Sequence, residues 1–198
     1  MQTAFPIQIG AAQDFKDLRR TLAGKAFLAI GATAFVALCA HISFPLYFTP
    51  VPVTLQTFAV ILVGMILGPS LGFSAMVLYL AEGAAGLPVF SPHSPGGMIH
   101  LLGPTAGYLF SYPLAAAAAG AVVRAVRLGQ SRFPAAVLAG ISAGIAIFAM
   151  GAAWIACLPH SGASIAWHLG VVPFLPSEAL KIATAAGIYT MQHRGQRS

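Results

Sequence analysis

The charged side chains of this chain are confined to a few short segments, and their distribution constrains the fold more than any other feature. Between Ala26 and Val123 the only Asp, Glu, Lys or Arg is Glu82. Between Phe133 and His193 there are two, Glu178 and Lys181. Only 7% of all residues are charged, against about 25% in typical soluble domains. A water-soluble domain cannot cover its surface this way, so we expect most of the chain to lie in lipid.

The apolar stretches predict an all-α membrane protein with six transmembrane helices. A chain of 198 residues accommodates six spans of about 20 residues with their connections. Pro- and Gly-rich segments separate the stretches, and Pro173 and Pro176 should kink the sixth or set its start near Ser177. The predicted spans are 24–44, 54–67, 71–87, 105–126, 134–158 and one within 165–191.

The basic residues predict the orientation of these spans. Apart from Lys181, they cluster in three places: up to the start of the first span (Lys25), around the connection between the fourth and fifth spans (from Arg124), and after the sixth. The positive-inside rule places all three segments, and so both termini, in the cytoplasm. We divide the chain into a cytoplasmic arm (1–23), a six-helix substrate-binding domain (24–193) and a cytoplasmic tail (194–198). The rule also accounts for the net charge of +6 without a nucleic acid partner.

Glu178 and Lys181 form the strongest candidate site. Residues three apart share one face of a helix, so the pair can present an acceptor and a donor side by side. The predicted orientation places the pair in the outer part of the sixth span, which implies a pocket that opens outward. Such a pair suits a neutral polar group, for example a urea or an amide. The alternative is a structural ion pair whose lysine reaches to the membrane interface.

Other polar and aromatic residues are predicted near the same outer end. Gln56 either contacts a ligand or bonds neighbouring helices, and Glu82 either lines the pocket or faces water at the interface. The aromatic candidates either form a pocket wall or belong to an interfacial belt. They are Tyr79, Phe90, Tyr108 and Trp154.

Several function classes are excluded or disfavoured by the sequence. It contains no G-x-x-x-x-G-K-[ST] loop, so we do not expect ATP hydrolysis by this chain. The histidines are scattered without the spacing of a metal site, and no nucleophile–base pair indicates an enzyme. We therefore predict no metal and no catalytic residues.

Ala29, Thr33 and Ala37 form a stripe of small residues on the first span. Such stripes allow helices to approach closely. The stripe serves either internal packing or docking to another membrane subunit.

Four segments, in order, resemble the successive signatures of the BioY family. They are TPVPVTLQTFAVILVGMILGPSLG, LYLAEGAAGLPVF, LLGPTAGYLFSYPLA and PFLPSEALK. The BioY family supplies the biotin-binding S components of energy-coupling factor (ECF) transporters. The resemblance covers about 44–181 and implies the six-helix S-component fold in a bacterial inner membrane. It implies capture of biotin from outside, as a transported ligand and not a cofactor, and assembly with a membrane coupling protein (T component) and two ATPase subunits.

The resemblance also assigns roles to individual residues. The acid and lysine of the sixth span contact the biotin head group, although the family usually has Gly-Asp-x-x-Lys where this chain has Ser177-Glu178-Ala179-Leu180-Lys181. Gly96 and Gly97 match a glycine pair in a gating loop. The stripe of Ala29, Thr33 and Ala37 occupies the place of an A-x-x-x-A docking motif.

From the chemistry of biotin, Glu178 is expected to accept from a urea N–H and Lys181 to donate to the urea carbonyl. The four aromatic candidates are expected to pack on the rings and tail. The tail carboxylate is expected at backbone N–H groups of Gly96 and Gly97, or of the turn 103–105. Two alternatives stay open: an S component for another small vitamin, and a BioY protein that transports without coupling subunits.

Overall fold

The structure, a computed structural model, describes residues 18–92, 96–126 and 132–194. Most of the predicted arm and tail, and residues 93–95 of the predicted gating loop, lie outside the described residues. Two short strands, β1 (Ser43–Phe44) and β2 (Val53–Thr54), pair antiparallel. Short 3-10 helices cover Gly97–Leu102 and Val172–Phe174. The α-helices are α1 (Leu22–His41), α2 (Gln56–Leu67), α3 (Pro69–Ala84), α4 (Ala106–Ala125), α5 (Phe133–Ala156), α6 (Ala163–Gly170) and α7 (Leu175–Arg194).

The apolar helices make this a multi-pass membrane protein. Four helical stretches in the described part of the chain are long and apolar enough to cross a bilayer: Leu22–His41, Ala106–Ala125, Phe133–Ala156 and Ala163–Gln192. The last of these includes α6, a 3-10 turn and α7. With 12 and 16 residues, α2 and α3 extend only about 18 and 24 Å at 1.5 Å per residue.

The turn between α2 and α3 brings two basic segments together. Gly68 makes this turn with φ of +85°, which disfavours any other residue type. The Arg19 guanidinium donates to the carbonyl oxygens of Ile66 (2.9 Å) and Leu67, and that of Arg124 donates to Leu67 (3.1 Å). Positive charge is favourable at the carboxyl end of a helix. Burial and the Arg124 charge lower the pKa of Arg19, but a guanidinium remains charged at physiological pH.

Small residues allow α2, α3 and α4 to pack closely. A Cβ on Gly64 of α2 would lie 2.3 Å from the backbone oxygen of Ala116 of α4. A Cβ on Gly120 of α4 would lie 2.6 Å from the backbone oxygen of Gly64. Gly72 of α3 faces the same contact. At this three-helix contact, close backbone approach replaces large side chains.

At the opposite end of α2, the chain between α1 and α2 folds across the bundle. Pro45, Pro50 and Pro52 prevent a helix here. The Thr49 hydroxyl donates to the carbonyl oxygen of Leu169, at the end of α6, over 2.7 Å. We call residues 45–52 the covering loop, because they close this end of the bundle over the cavity described next.

Candidate ligand-binding site

A cavity of about 50 Å³ lies beneath the covering loop, at the end of the bundle opposite Arg19 and Arg124. The starts of α2, α4 and α7 converge on it, together with β2. Its apolar lining comes from Val51, Pro52, Tyr108, Tyr112, Ile147, Phe148 and Phe174. Its polar lining consists of Thr54, Gln56, Thr57, Ser91, His100, Thr105, Glu178 and Lys181. The cavity thus combines apolar walls with a few polar groups, as ligand sites do.

Glu178 and Lys181 lie within this cavity as an ion pair. Lys181 Nζ is 3.3 Å from Glu178 Oε2, and the two residues are 7% and 3% exposed. Pro176, in the first turn of α7, suits a helix start. Because the helix begins at Leu175, both residues fall in its first two turns and share one face.

Thr57 of α2 completes this group. Its hydroxyl donates to Glu178 Oε2 over 2.8 Å and accepts from Lys181 Nζ over 3.0 Å. Three side chains from two helices therefore form a closed triangle of hydrogen bonds. We call Thr57, Glu178 and Lys181 the polar triangle.

The two oxygens of the Glu178 carboxylate differ in their hydrogen bonding. Oε1 is buried and has no hydrogen-bond partner among the described residues. A buried carboxylate oxygen without a donor costs free energy, on the order of 1–3 kcal/mol or more. The cavity therefore contains an acceptor that a ligand N–H would satisfy.

Aromatic hydroxyls connect the cavity to its surroundings. Tyr108 lines the cavity and donates from its hydroxyl to the Gly170 carbonyl oxygen over 2.6 Å. Gln56 lines it as well and donates from Nε2 to the Tyr79 hydroxyl over 2.7 Å. Tyr79 itself lies one layer behind and donates to the carbonyl oxygen of Val89 over 2.7 Å.

The structure therefore brings four of the predicted site residues to the cavity: Gln56, Tyr108, Glu178 and Lys181. Phe90 and Trp154 lie outside its lining. Phe90 packs with its ring centroid 4.8 Å from that of His100, which does line the cavity. Trp154 donates from Nε1 to the Gly103 carbonyl oxygen over 3.0 Å, at the turn before α4.

Glu82 and the glycine pair are placed further away. The Glu82 carboxylate accepts from the Thr33 hydroxyl over 3.1 Å and so joins α3 to α1. Gly96 is exposed, and Gly97 starts the 3-10 helix with φ of +73°. None of these three residues is part of the cavity lining in the described chain.

The small-residue stripe of α1 is largely turned inward. Thr33 is 2% exposed and bonds Glu82, and Ala29 is buried as well. Ala37 is half-buried. This placement matches internal packing, while docking through the stripe stays a prediction.

Sequence reasoning did not select several lining residues. Thr57 carried a weak signal, since it is a polar residue next to Gln56 in an apolar stretch. Phe148 and Phe174 carried none, because most of the phenylalanines in such a chain pack or face lipid. His100 was considered only for metal binding, and the described residues contain no group of three metal-binding side chains.

Comparison with known proteins adds to this geometry. The family model described as "BioY family" matches residues 11–197. A probable biotin transporter BioY of Pyrococcus horikoshii is 41% identical over 69% of this chain and 76% of its own length. The biotin transporter BioY of Thermotoga maritima is 35% identical over 78% of this chain and 86% of its own.

A solved structure shares the fold. The crystal structure of the S-component for biotin from an ECF-type ABC transporter superposes with a TM-score of 0.77. The match covers 86% of this chain and 90% of the other, at 22% sequence identity. The helices of this chain are therefore arranged in the ECF S-component fold.

Proposed function

The chain belongs to the BioY family, and from this premise we propose that it is the substrate-capture subunit of a biotin importer. Biotin is its transported ligand and not a cofactor, and the protein is a transporter component and not an enzyme. The names of the similar proteins from Pyrococcus horikoshii and Thermotoga maritima support this assignment. The shared fold with an S-component for biotin supports it further.

The observation that carries the proposal is Glu178 Oε1, which lies beside Lys181 in the cavity and has no partner in the described part of the chain. The biotin head group is a cyclic urea, in which a carbonyl oxygen lies between two N–H groups. One N–H donates to Oε1, and the ammonium of Lys181 donates to the carbonyl oxygen. The ligand thereby satisfies a buried acceptor for which the described residues supply no donor.

The rest of the ligand extends from this anchor. Tyr108 and Tyr112 provide aromatic surface for the rings, with Tyr79 and Phe90 behind Tyr112. Trp154 holds the turn before α4 through its bond to Gly103. We propose the turn 103–105, whose Thr105 lines the cavity at the start of α4, for the tail carboxylate. Gly96 and Gly97 are the second candidate for this role. Glu82, whose carboxylate accepts from Thr33, stays a predicted pocket acceptor or gate.

Binding requires the cavity to open. Its volume of about 50 Å³ is well below the roughly 300 Å³ of the smaller ligand pockets. We propose that the covering loop moves, because it lies over the cavity and a hydrogen bond from Thr49 ties it to Leu169 of α6. Residues 96–102, which include Gly96 and Gly97, are the second candidate for this movement.

We further propose that the chain crosses the membrane six times, with α2 and α3 as the two short crossings. Both termini then lie in the cytoplasm, and the membrane is the inner membrane of a bacterium. The joint binding of Arg19 and Arg124 at the Gly68 turn supports this, because it unites two basic segments at one end. The cavity then faces outward.

The proposed partners are a T component and two ATPase subunits, with Ala29, Thr33 and Ala37 as candidate docking residues.

The test is calorimetric titration of the purified protein with biotin, in parallel with thiamine and riboflavin. Tight binding of biotin alone supports the proposal. Binding of another vitamin instead would assign a different substrate to the same fold. Biotin uptake by cells with and without coupling subunits then separates an ECF importer from a protein that transports alone.

A further inference from the structure

The polar triangle contains one residue whose role the proposed function leaves open. We infer that Thr57 positions Glu178 and Lys181 for recognition of the urea group, and so sets the specificity of the site for a carbonyl flanked by N–H groups. This inference rests on the proposed function. Thr57 acts through the other two residues and is therefore a positioning residue.

The hydrogen-bond inventory of the triangle supports this role. Glu178 Oε2 accepts from both Thr57 (2.8 Å) and Lys181 (3.3 Å), while Oε1 has no donor among the described residues. Lys181 gives one proton to Oε2 and one to the Thr57 hydroxyl, 3.0 Å away. An ammonium has three protons, so one remains for a ligand. The triangle thus offers one acceptor and one donor.

Thr57 holds this arrangement because it comes from a different helix. Glu178 and Lys181 are long side chains on α7, and each loses considerable rotamer freedom when it is fixed. Thr57 is a β-branched residue with restricted χ1, in the first turn of α2. Its hydroxyl contacts both charged groups and fixes which carboxylate oxygen is left for the ligand.

The test compares three variants of the full chain. Thr57→Val keeps the shape of the side chain and removes the hydroxyl, and Thr57→Ser keeps the hydroxyl. Thr190→Val is the matched control, because Thr190 is also a buried threonine, bonded to the Ala186 carbonyl oxygen away from the cavity. We expect Thr57→Val to weaken biotin binding about 10- to 100-fold, as for the loss of hydrogen bonds to charged groups. Thr57→Ser and Thr190→Val should remain within about threefold of the wild-type affinity.

A second ligand separates positioning from a loss of structure. In protonated 2-iminobiotin a nitrogen that carries protons replaces the carbonyl oxygen, so it offers no acceptor to Lys181. We expect Thr57→Val to weaken biotin more than 2-iminobiotin, since only biotin uses the lysine. Thermal unfolding of each variant in detergent reports separately on folding.

Three results would overturn the inference. Unchanged biotin affinity in Thr57→Val would show that the hydroxyl is not needed. Equal loss for both ligands, without rescue by Thr57→Ser, would show a merely structural role. Failure of the wild-type protein to bind biotin would overturn the proposed function itself and this inference with it.

Discussion

At the scale of single residues, the notable feature is a buried ion pair that is only partly satisfied. Removing two charges from water costs several kcal/mol, and their mutual attraction offsets this only with good geometry and further hydrogen bonds. Thr57 supplies such bonds to Glu178 Oε2 and Lys181, but Oε1 receives none among the described residues. In the described part of the chain the site therefore lacks one donor, which a ligand with an N–H group would supply.

Replacement of the lysine tests this account directly. Lys181→Ala removes the donor to the ligand carbonyl, so we expect biotin affinity to fall at least 10- to 100-fold, the range for a hydrogen bond to a charged group. It also leaves the Glu178 carboxylate buried without its cation, so the melting temperature should fall. Titration calorimetry and thermal unfolding measure the two effects.

The matched control for this variant is Thr184→Val. Thr184 lies on the exposed side of the same helix, with its hydroxyl bonded to the Leu180 carbonyl oxygen. Its replacement should leave both quantities nearly unchanged. If Lys181→Ala bound biotin as the wild type does, the lysine would have no role in the site.

At the scale of elements, the packing of α2 against α4 depends on the absence of side chains. Gly64→Ala places a methyl group 2.3 Å from the Ala116 backbone oxygen, which cannot move without displacing the helix. Overpacking of this kind costs about 1–3 kcal/mol. We expect a clearly lower melting temperature in detergent.

The comparison is Gly31, an exposed glycine of α1. A Cβ on Gly31 would have no atom of the described residues within 4 Å. Gly31→Ala should therefore leave the free energy of unfolding unchanged or raise it by about 0.5–1 kcal/mol, through the higher helix propensity of alanine. Equal melting temperatures for the two variants would contradict the close α2–α4 contact.

The helices themselves were largely predictable, whereas the contacts between them were not. The predicted spans agree with α1 to α5 and α7 within a few residues, because Pro and Gly mark the interruptions in an otherwise apolar chain. From Pro173 and Pro176 the last helix was predicted to be kinked or to start near Ser177. In the structure this helix begins at Leu175. A separate helix, α6 (Ala163–Gly170), precedes it. Because α6 is also apolar, the sequence did not distinguish it from the last span.

The site was predicted only in part, because the sequence shows rare polar residues but not the contacts between helices. Glu178 and Lys181 stood out because charges are rare in this chain, and Gln56 because amides are rare in lipid. Thr57, Ser91 and Phe148 reach the cavity through tertiary packing, which periodicity does not encode. Glu82 also stood out because charges are rare in this chain. In the structure it accepts a hydrogen bond from Thr33 between two helices and does not line the cavity.

At the scale of the whole molecule, the two ends differ in charge. Arg19, Arg124 and the Gly68 turn define one end, and the covering loop and cavity define the other, where the described residues of 42–55 carry no Lys or Arg. The positive-inside rule then predicts a single orientation.

Cysteine labelling in intact cells tests this orientation. In a background where Cys39 and Cys157 are replaced by alanine, Tyr47→Cys at the fully exposed tip of the covering loop should react with a membrane-impermeant maleimide. Arg132→Cys, at the start of α5, should react only after the membrane is permeabilised. The reverse pattern would contradict the proposed topology.

Glu178 and Lys181 carry opposite charges, 3.3 Å apart, and this has an electrical consequence. Moving one elementary charge across a membrane potential involves about 2.3 kcal/mol per 100 mV. Because the pair sums to zero, any displacement of the pair along the membrane normal involves almost no work against the potential. The pair itself would therefore contribute little voltage dependence to a movement of α7. A biotin bound as proposed would add the charge of its anionic tail, on which the potential does act.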